Sequence, residues 1–223
     1  MKMKLKVMGV LFLFGVFSLL ILSSCVDMPT DAVTPPSALS YYRFIHAAEG
    51  AGNVSLSVDG KSIGALDFKG NTPYAEYAAG KKTVVLSTGD TLVMSMATDY
   101  RGTMCILLEE GKPTFLRANE MRIFDPVTAE KGKLRVIHLS TDAQAANINA
   151  TGPDELEWTS VAYKTIGAYK DATPGQYTVT VTPVGETDAV LTFTVTVGTE
   201  RSTAFIVGSV AGGTLSAVAL KDN

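Results

Sequence analysis

The constraint that acts first on this chain is repetition. Arg43-Phe44-Ile45-His46 returns as Arg135-Val136-Ile137-His138, ninety-two residues later. Farther on, Phe68-Lys69 matches Tyr163-Lys164, Tyr74 matches Tyr169, Gly80 matches Gly175 and Thr83-Val84 matches Thr178-Val179, all ninety-five apart. Arg101 and Arg201 continue the series at one hundred. The three extra residues of the second copy fall between Gly152 and Val161, where the first copy has a tight Asp59-Gly60 turn. A chain that repeats itself at this spacing builds one supersecondary unit twice, and each unit must find a core for itself. Both histidines of the chain, His46 and His138, sit at the same place in the two copies.

Within each copy the dominant period is two. Val54, Leu56 and Val58 alternate with Ser55, Ser57 and Asp59. Tyr177, Val179 and Val181 alternate with Thr178, Thr180 and Thr182, and Leu191, Phe193, Val195 and Val197 alternate with Thr192, Thr194 and Thr196. Strict alternation predicts strands with one buried and one solvated face, and outward threonines favour sheet. Turn residues punctuate these runs about every ten positions, as in a β-sandwich. The predicted fold is therefore all-β: two tandem antiparallel β-sandwich domains of the immunoglobulin or transthyretin type, each of about seven strands. The first is expected over residues 41–126 and the second over 127–223, with the boundary in a polar stretch without alternation at 125–133. A single sandwich that exchanges terminal strands between the copies satisfies the same pattern.

The amino terminus sets the location. Lys2, Lys4 and Lys6 precede an uncharged apolar run at 7–22, which ends in Leu22-Ser23-Ser24-Cys25. This is the layout of a secretory signal, and Leu-Ser-Ser-Cys resembles the lipobox of bacterial lipoproteins. That resemblance implies a signal peptide over 1–24, lipidation of Cys25, and a membrane partner held through acyl chains. The competing reading is an uncleaved transmembrane helix. Its sixteen residues are short of the ~20 needed to cross a bilayer, and Gly9, Gly15 and Ser18 interrupt it. More than one acyl chain is needed for stable anchoring, which the multiply acylated cysteine implied by a lipobox supplies. Residues 25–40, with Pro29, Pro35 and Pro36, read as the lipidated cysteine and a tether. The expected setting is the cell envelope, lipid-anchored, at the outer membrane.

Of nineteen basic residues, three lie in the signal, so sixteen remain in the mature chain against twenty-two acidic ones, a net charge of −6. No cluster of cations offers the phosphate neutralisation that nucleic-acid binding requires. Cys105, the second of two cysteines, lies in the apolar run Thr103-Met104-Cys105-Ile106-Leu107-Leu108 and reads as a small core filler. A lipidated Cys25 cannot pair with it, so stability rests on packing rather than on disulfides.

The repeated motif is an Arg-aliphatic-aliphatic-His strand, a polar loop, an alternating strand closing on Asp-Gly, an aromatic residue, and a Pro/Ala-Gly-x-x-Thr-Val strand. It resembles the bacterial family called domain of unknown function 4397, found in secreted and envelope proteins and often in tandem. The first copy follows it through Ser57-Val58-Asp59-Gly60 and Ala79-Gly80-Lys81-Lys82-Thr83-Val84. The second follows it through Val136-Ile137-His138-Leu139-Ser140-Thr141-Asp142-Ala143 and Thr173-Pro174-Gly175-Gln176-Tyr177-Thr178-Val179, and departs at Asn149-Ala150-Thr151-Gly152. The resemblance implies a β-sandwich and a non-catalytic envelope role, and it carries no activity.

Candidate chemistry is sparse. His46 and His138 end predicted strands, and together with Arg43 and Arg135 they form the repeat's structural motif. A metal site needs three or four convergent ligands, so each ring is expected to lie half-buried and to hydrogen-bond the loop that follows it. His138, Ser140 and Asp142 are the residue types of a hydrolase triad, but residues two apart at a strand end seldom converge around an oxyanion hole. The glycine-rich stretch 208–213 reads as a hairpin, and Asp154, Glu155 and Glu157 as a solvated loop. No catalytic residues, metal ligands or cofactors are assigned. Trp158, the single tryptophan, lies in the second copy's insertion at 153–159 among acids. An exposed indole there would form the platform of a glycan site; a buried one would cover the end of the sandwich. Two functions follow: a non-enzymatic envelope lipoprotein presenting its repeats for adhesion or protein assembly, or a glycan-binding module with Trp158 in its platform. The partner is accordingly a protein or a glycan, and not nucleic acid.

Overall fold

The computed structural model describes residues 38–122 and 130–222. The signal, Cys25 and the tether lie outside the described residues, apart from the tether's last three positions. The first repeat contains β1 (Leu39–His46), β2 (Val54–Val58), β3 (Lys61–Leu66), β4 (Ala75–Ala78), β5 (Gly80–Leu86), β6 (Thr91–Met96), β7 (Tyr100–Glu109) and β8 (Lys112–Arg122). The second contains β9 (Gly132–His138), β10 (Ala146–Thr151), β11 (Glu155–Val161), β12 (Lys170–Ala172), β13 (Gly175–Pro183), β14 (Leu191–Val197), β15 (Arg201–Val207) and β16 (Ser216–Lys221).

Each repeat is a sandwich of two four-stranded sheets with the same topology. The first has sheets β4-β1-β7-β8 and β3-β2-β5-β6; the second has β12-β9-β15-β16 and β11-β10-β13-β14. Among the described residues no strand is exchanged between the copies, so this is two tandem β-sandwiches and not one. Eight strands form where seven were expected. The extra one in each copy is the short edge strand, β4 or β12, whose four and three residues are too few to show a period. All pairings within a sandwich are antiparallel except β1 with β7 and β9 with β15. Parallel neighbours cannot be joined by a hairpin, and here the chain crosses over through the opposite sheet, returning only for the edge strand β4 or β12 on the way.

The Asp59-Gly60 turn closes β2 onto β3 with both residues at positive φ, 49° and 78°, the backbone of a two-residue type I′ hairpin. In the second repeat the corresponding hairpin is longer. Thr151 pairs with Glu155 across Gly152-Pro153-Asp154, which places the three extra residues at its tip.

Three hydrophobic cores result. Tyr42, Phe44, Leu56, Val84, Met96 and Ile106 fill the first sandwich, and Val136, Ile148, Trp158, Tyr177, Val179 and Ile206 fill the second. A third core joins the repeats: Ile45, Cys105, Leu107 and Ala118 of the first pack against Ile137, Leu139, Phe205 and Val207 of the second. The inner sheets therefore lie face to face. Successive side chains of a strand point to opposite sides, so in β7 Met104 and Ile106 enter the repeat's own core while Cys105 and Leu107 enter the shared one. That is why β1, β7, β9 and β15 are buried almost without interruption, whereas the outer strands alternate. Cys105 is buried in the shared core.

Candidate functional site

The repeat motif builds two equivalent corners. His46 is fully buried: its Nε2 donates to the Gly52 carbonyl at 2.8 Å, and its Nδ1 accepts the Ala48 N–H at 3.2 Å. His138 repeats this with the Gln144 carbonyl at 3.3 Å and the Ser140 N–H at 3.2 Å. The backbone joins in, because Lys69 N–H donates to the His46 carbonyl and Lys164 N–H to the His138 carbonyl, at 2.8 and 2.7 Å. Both lysines hold positive φ, 71° and 63°, a conformation uncommon for residues other than glycine. Each histidine thus ties two loops to the end of its first strand. The rings are fully buried rather than half-buried as expected, because both inner sheets are covered by the opposite repeat. Burial holds the His138 imidazole below the usual histidine pKa, against the raising effect of its bond to Gln144. With both nitrogens of each ring engaged, neither imidazole is left to ligate a metal or relay a proton. Among the described residues no three His, Cys, Asp or Glu side chains gather as a metal set.

The triad residue types do not assemble. Ser140 meets His138 through its backbone N–H, not its hydroxyl, which donates to Asp142 at 3.2 Å. Asp142 instead organises the β15–β16 connection. Its carboxylate accepts Ser209 Oγ at 2.6 Å and the backbone N–H groups of Val210 and Ala211 at 2.9 Å. The Ser209 hydroxyl, followed by these N–H donors, lowers its pKa to about 2. Glu49 of the first repeat reaches the same loop through Thr214. A cavity of about 270 Å3 lies beside this loop, between the repeats, lined by Glu49, Leu107, Asp142 and Tyr163 among others.

At the opposite end of the inner strands the two arginine motifs meet. Arg43 Nε donates to Thr103 Oγ1 at 2.7 Å, and Arg135 Nε to Thr203 Oγ1 at 2.8 Å. Each guanidinium stacks on the tyrosine of its own repeat, Arg43 on Tyr74 and Arg135 on Tyr169, with Arg101 and Arg201 on the same rings. Asp222, fully buried, closes the set. Its carboxylate pairs with Arg43 of the other repeat and accepts the hydroxyls of Tyr169 and Thr203, at 2.7 and 2.6 Å. Arg43 also donates to the Lys221 carbonyl at 2.5 Å. Burial, and then the Asp222 charge, push the Tyr169 hydroxyl far above its ordinary pKa, so it stays a donor. Sequence reading pairs Arg43 with Arg135 and Tyr74 with Tyr169 but finds no role for Thr103, Thr203 or Asp222. The matched spacing of the threonines, one hundred like that of Arg101 and Arg201, was the available signal.

Trp158 requires a correction. It is 5 % exposed, lies in β11 and packs in the second core, with Nε1 donating to the Ala168 carbonyl at 2.9 Å. It offers no platform to a sugar. The segment expected to be an acidic loop is an alternating strand: Leu156 and Trp158 point inward, Glu155, Glu157 and Thr159 outward. That alternation was present in the sequence, obscured by the interrupted repeat pattern before it. Asp154, at the hairpin tip, accepts the Thr173 N–H at 2.6 Å and the Tyr177 hydroxyl at 3.3 Å rather than forming an acid cluster.

Fold and site together define a tandem β-sandwich protein whose repeated polar motifs hold the structure together. The family model described as domain of unknown function (DUF4397) matches residues 40–149 and again 132–223, and the chain belongs to that family. No curated protein matches the chain. Among solved structures it is similar to the Bacillus anthracis TIE protein, at 12 % identity and a TM-score of 0.25, covering 77 % of this chain and 34 % of that one. The chain thus spans about a third of that protein's length. It is also similar to a protein of Bacteroides eggerthii DSM 20697 described provisionally as a cell adhesion protein, at 11 % identity and a TM-score of 0.22, covering 84 % and 97 % of the two chains.

Proposed function

We propose that this chain is a non-catalytic, lipid-anchored protein of the cell envelope, at the outer membrane, that presents its two sandwiches for adhesion or protein assembly. One observation carries the reading: the residues with chemical potential are consumed by the fold. Both histidines, Arg43, Arg135 and Asp222 are buried and engaged in the corners and the inter-repeat network. What the molecule offers outward is loops, edge strands and two outer sheets, which suit recognition rather than reaction. The glycan-binding alternative has lost its platform with the burial of Trp158. The signal and the lipobox-like Cys25 support the envelope location.

The test is protease shaving of intact cells, comparing wild type with Cys25→Ala by immunoblot. Loss of the wild-type band while periplasmic controls survive is the expected result. Protection until the outer membrane is breached would overturn the surface reading and point to a periplasmic partner.

A further inference from the structure

The two repeats act as controls for one another. Their hairpin registers agree at both ends, Ser57 facing Ser62 as Asn149 faces Glu157 and Val54 facing Leu66 as Ala146 faces Val161, while the bulge between is displaced by one residue, Leu56 facing Gly64 and Ile148 facing Trp158. On this alignment Ile63 stands where Trp158 stands, Lys61 where Leu156 stands, and Pro73 where Ala168 stands. In the second repeat Leu156 and Trp158 close the side of the sandwich between β11 and β12, with the indole N–H bound to Ala168. In the first repeat the same side is open. Lys61 is exposed and Ile63 only partly buried, and a cleft of about 580 Å3 remains, lined by apolar residues such as Ile63, Leu66 and Pro73 together with the charged Lys61, Glu76 and Lys82. Tyr77, in the place of Ala172, occupies part of that space, and its buried hydroxyl has no hydrogen-bond partner among the described residues. Native structures seldom leave such a group unsatisfied.

The strands that flank the cleft are both sheet edges. Among the described residues β3 pairs with β2 alone and β4 with β1 alone. Unpaired strand edges present main-chain donors and acceptors to an incoming extended segment, while the pocket between them selects a side chain.

We propose that this cleft receives a tryptophan side chain carried on an extended segment of a partner polypeptide, seated between β3 and β4 as Trp158 is seated between β11 and β12. The second repeat supplies the template for the guest: an indole whose N–H meets the backbone carbonyl at the position of Ala168, here Pro73. The guest comes from a different protein, because Trp158 is the chain's single tryptophan and is buried in its own repeat. It is a polypeptide rather than a free indole, because only a main chain can use the two strand edges. This inference rests on reading the chain as a protein-binding module and names the chemistry of its partner.

The experiment follows the Ile63 methyl signal by NMR in the full chain, solubilised in detergent, during titration with three probes. They are a Ser-Thr-Trp-Thr-Ser peptide, the same peptide with alanine in place of tryptophan, and N-acetyltryptophanamide. The tryptophan peptide should shift the signal saturably and bind about tenfold or more tighter than the amide, with no response to the alanine peptide. In Ile63→Trp, which plugs the cleft from within, peptide binding read by other first-repeat signals should fall by about thirtyfold or more. Lys61→Leu, the milder plug, provides the same check if the larger residue disturbs folding. Absence of a saturable shift, equal binding of amide and peptide, or full binding in both plugged variants would overturn the proposal. These outcomes are independent of protease shaving, so failure of the cleft and failure of the surface location are separable.

Discussion

Asp222 is the residue whose removal should tell most about how the repeats are held together. It follows β16 of the second repeat, and its carboxylate pairs with Arg43 on β1 of the first. Both side chains are inaccessible, at 0 % and 4 % exposure, so water cannot take the place of a missing partner. Asp222→Ala strips acceptors from three donors at once: the Arg43 guanidinium, the Tyr169 hydroxyl and the Thr203 hydroxyl. Each buried donor left short costs about 1–3 kcal/mol, and because the three share one carboxylate the costs do not add. Breaking one side of a buried ion pair costs about 3–5 kcal/mol in all, and that is the expected loss. For a folded unit of this size it corresponds to a fall in Tm of about 6–20 °C. The assay is urea and thermal unfolding of the full chain in detergent, run as a double-mutant cycle with Arg43→Met. A loss below about 1 kcal/mol, the range of an exposed pair, would refute the reasoning. So would additivity of the two changes within about 0.5 kcal/mol. The combination Arg43→Met with Asp222→Leu should recover much of the loss, since well-packed apolar groups often replace a buried pair at little cost.

Phe205→Ala should lower stability by about 3–5 kcal/mol and uncouple the repeats, because Phe205 lies in the shared core; the calorimetric trace, expected to be a single transition in the wild type, should broaden or split. Trp158 should emit at short wavelength, resist acrylamide and ignore oligosaccharides, and Trp158→Ala should cost about 3–5 kcal/mol in urea unfolding; ready quenching would contradict its burial. The Asp142 carboxylate, held at about 2 in the folded chain against about 3.9 unfolded, contributes stability that is full above pH ~4 and is lost as pH falls toward 2. Asp142→Asn should flatten that acid limb, and the carboxyl carbon shift of Asp142 reads the titration directly. His138 is depressed by burial, so stability should decline as pH falls below about 6.5, where only the unfolded chain takes up the proton; His138→Gln should remove that slope.

Much of the architecture was legible because physics wrote it locally. In the outer sheets one face is wet, so β2, β13 and β14 show an alternation that names both the strand and its buried side. The Asp59-Gly60 turn was readable because two positive φ values restrict which residues can stand there. The short strands β4 and β12 were not readable: their formation depends on the neighbours they pair with, β1 and β9. Trp158 was left open between an exposed and a buried place for a related reason. Its acidic neighbours suggested solvent, while the side each residue of a strand faces is decided by register.

The sequence by itself determined the unit, its duplication, the strand character of each copy and the apolar run that becomes β7. These follow from period, spacing and composition, which act over a few residues at a time. Only the tertiary structure decided what covers those inner strands, and the answer is the other repeat. Arg43 and Asp222 are 179 positions apart, and nothing near Asp222 distinguishes it from a solvated carboxylate at the end of a strand. The same holds for the cleft beside Ile63: only the strand pairing sets that isoleucine in the place of Trp158, and the packing of two sheets turns the difference into an opening. Pairwise burial between distant segments has no local signature, because its free energy comes from surfaces that meet only once the chain has folded.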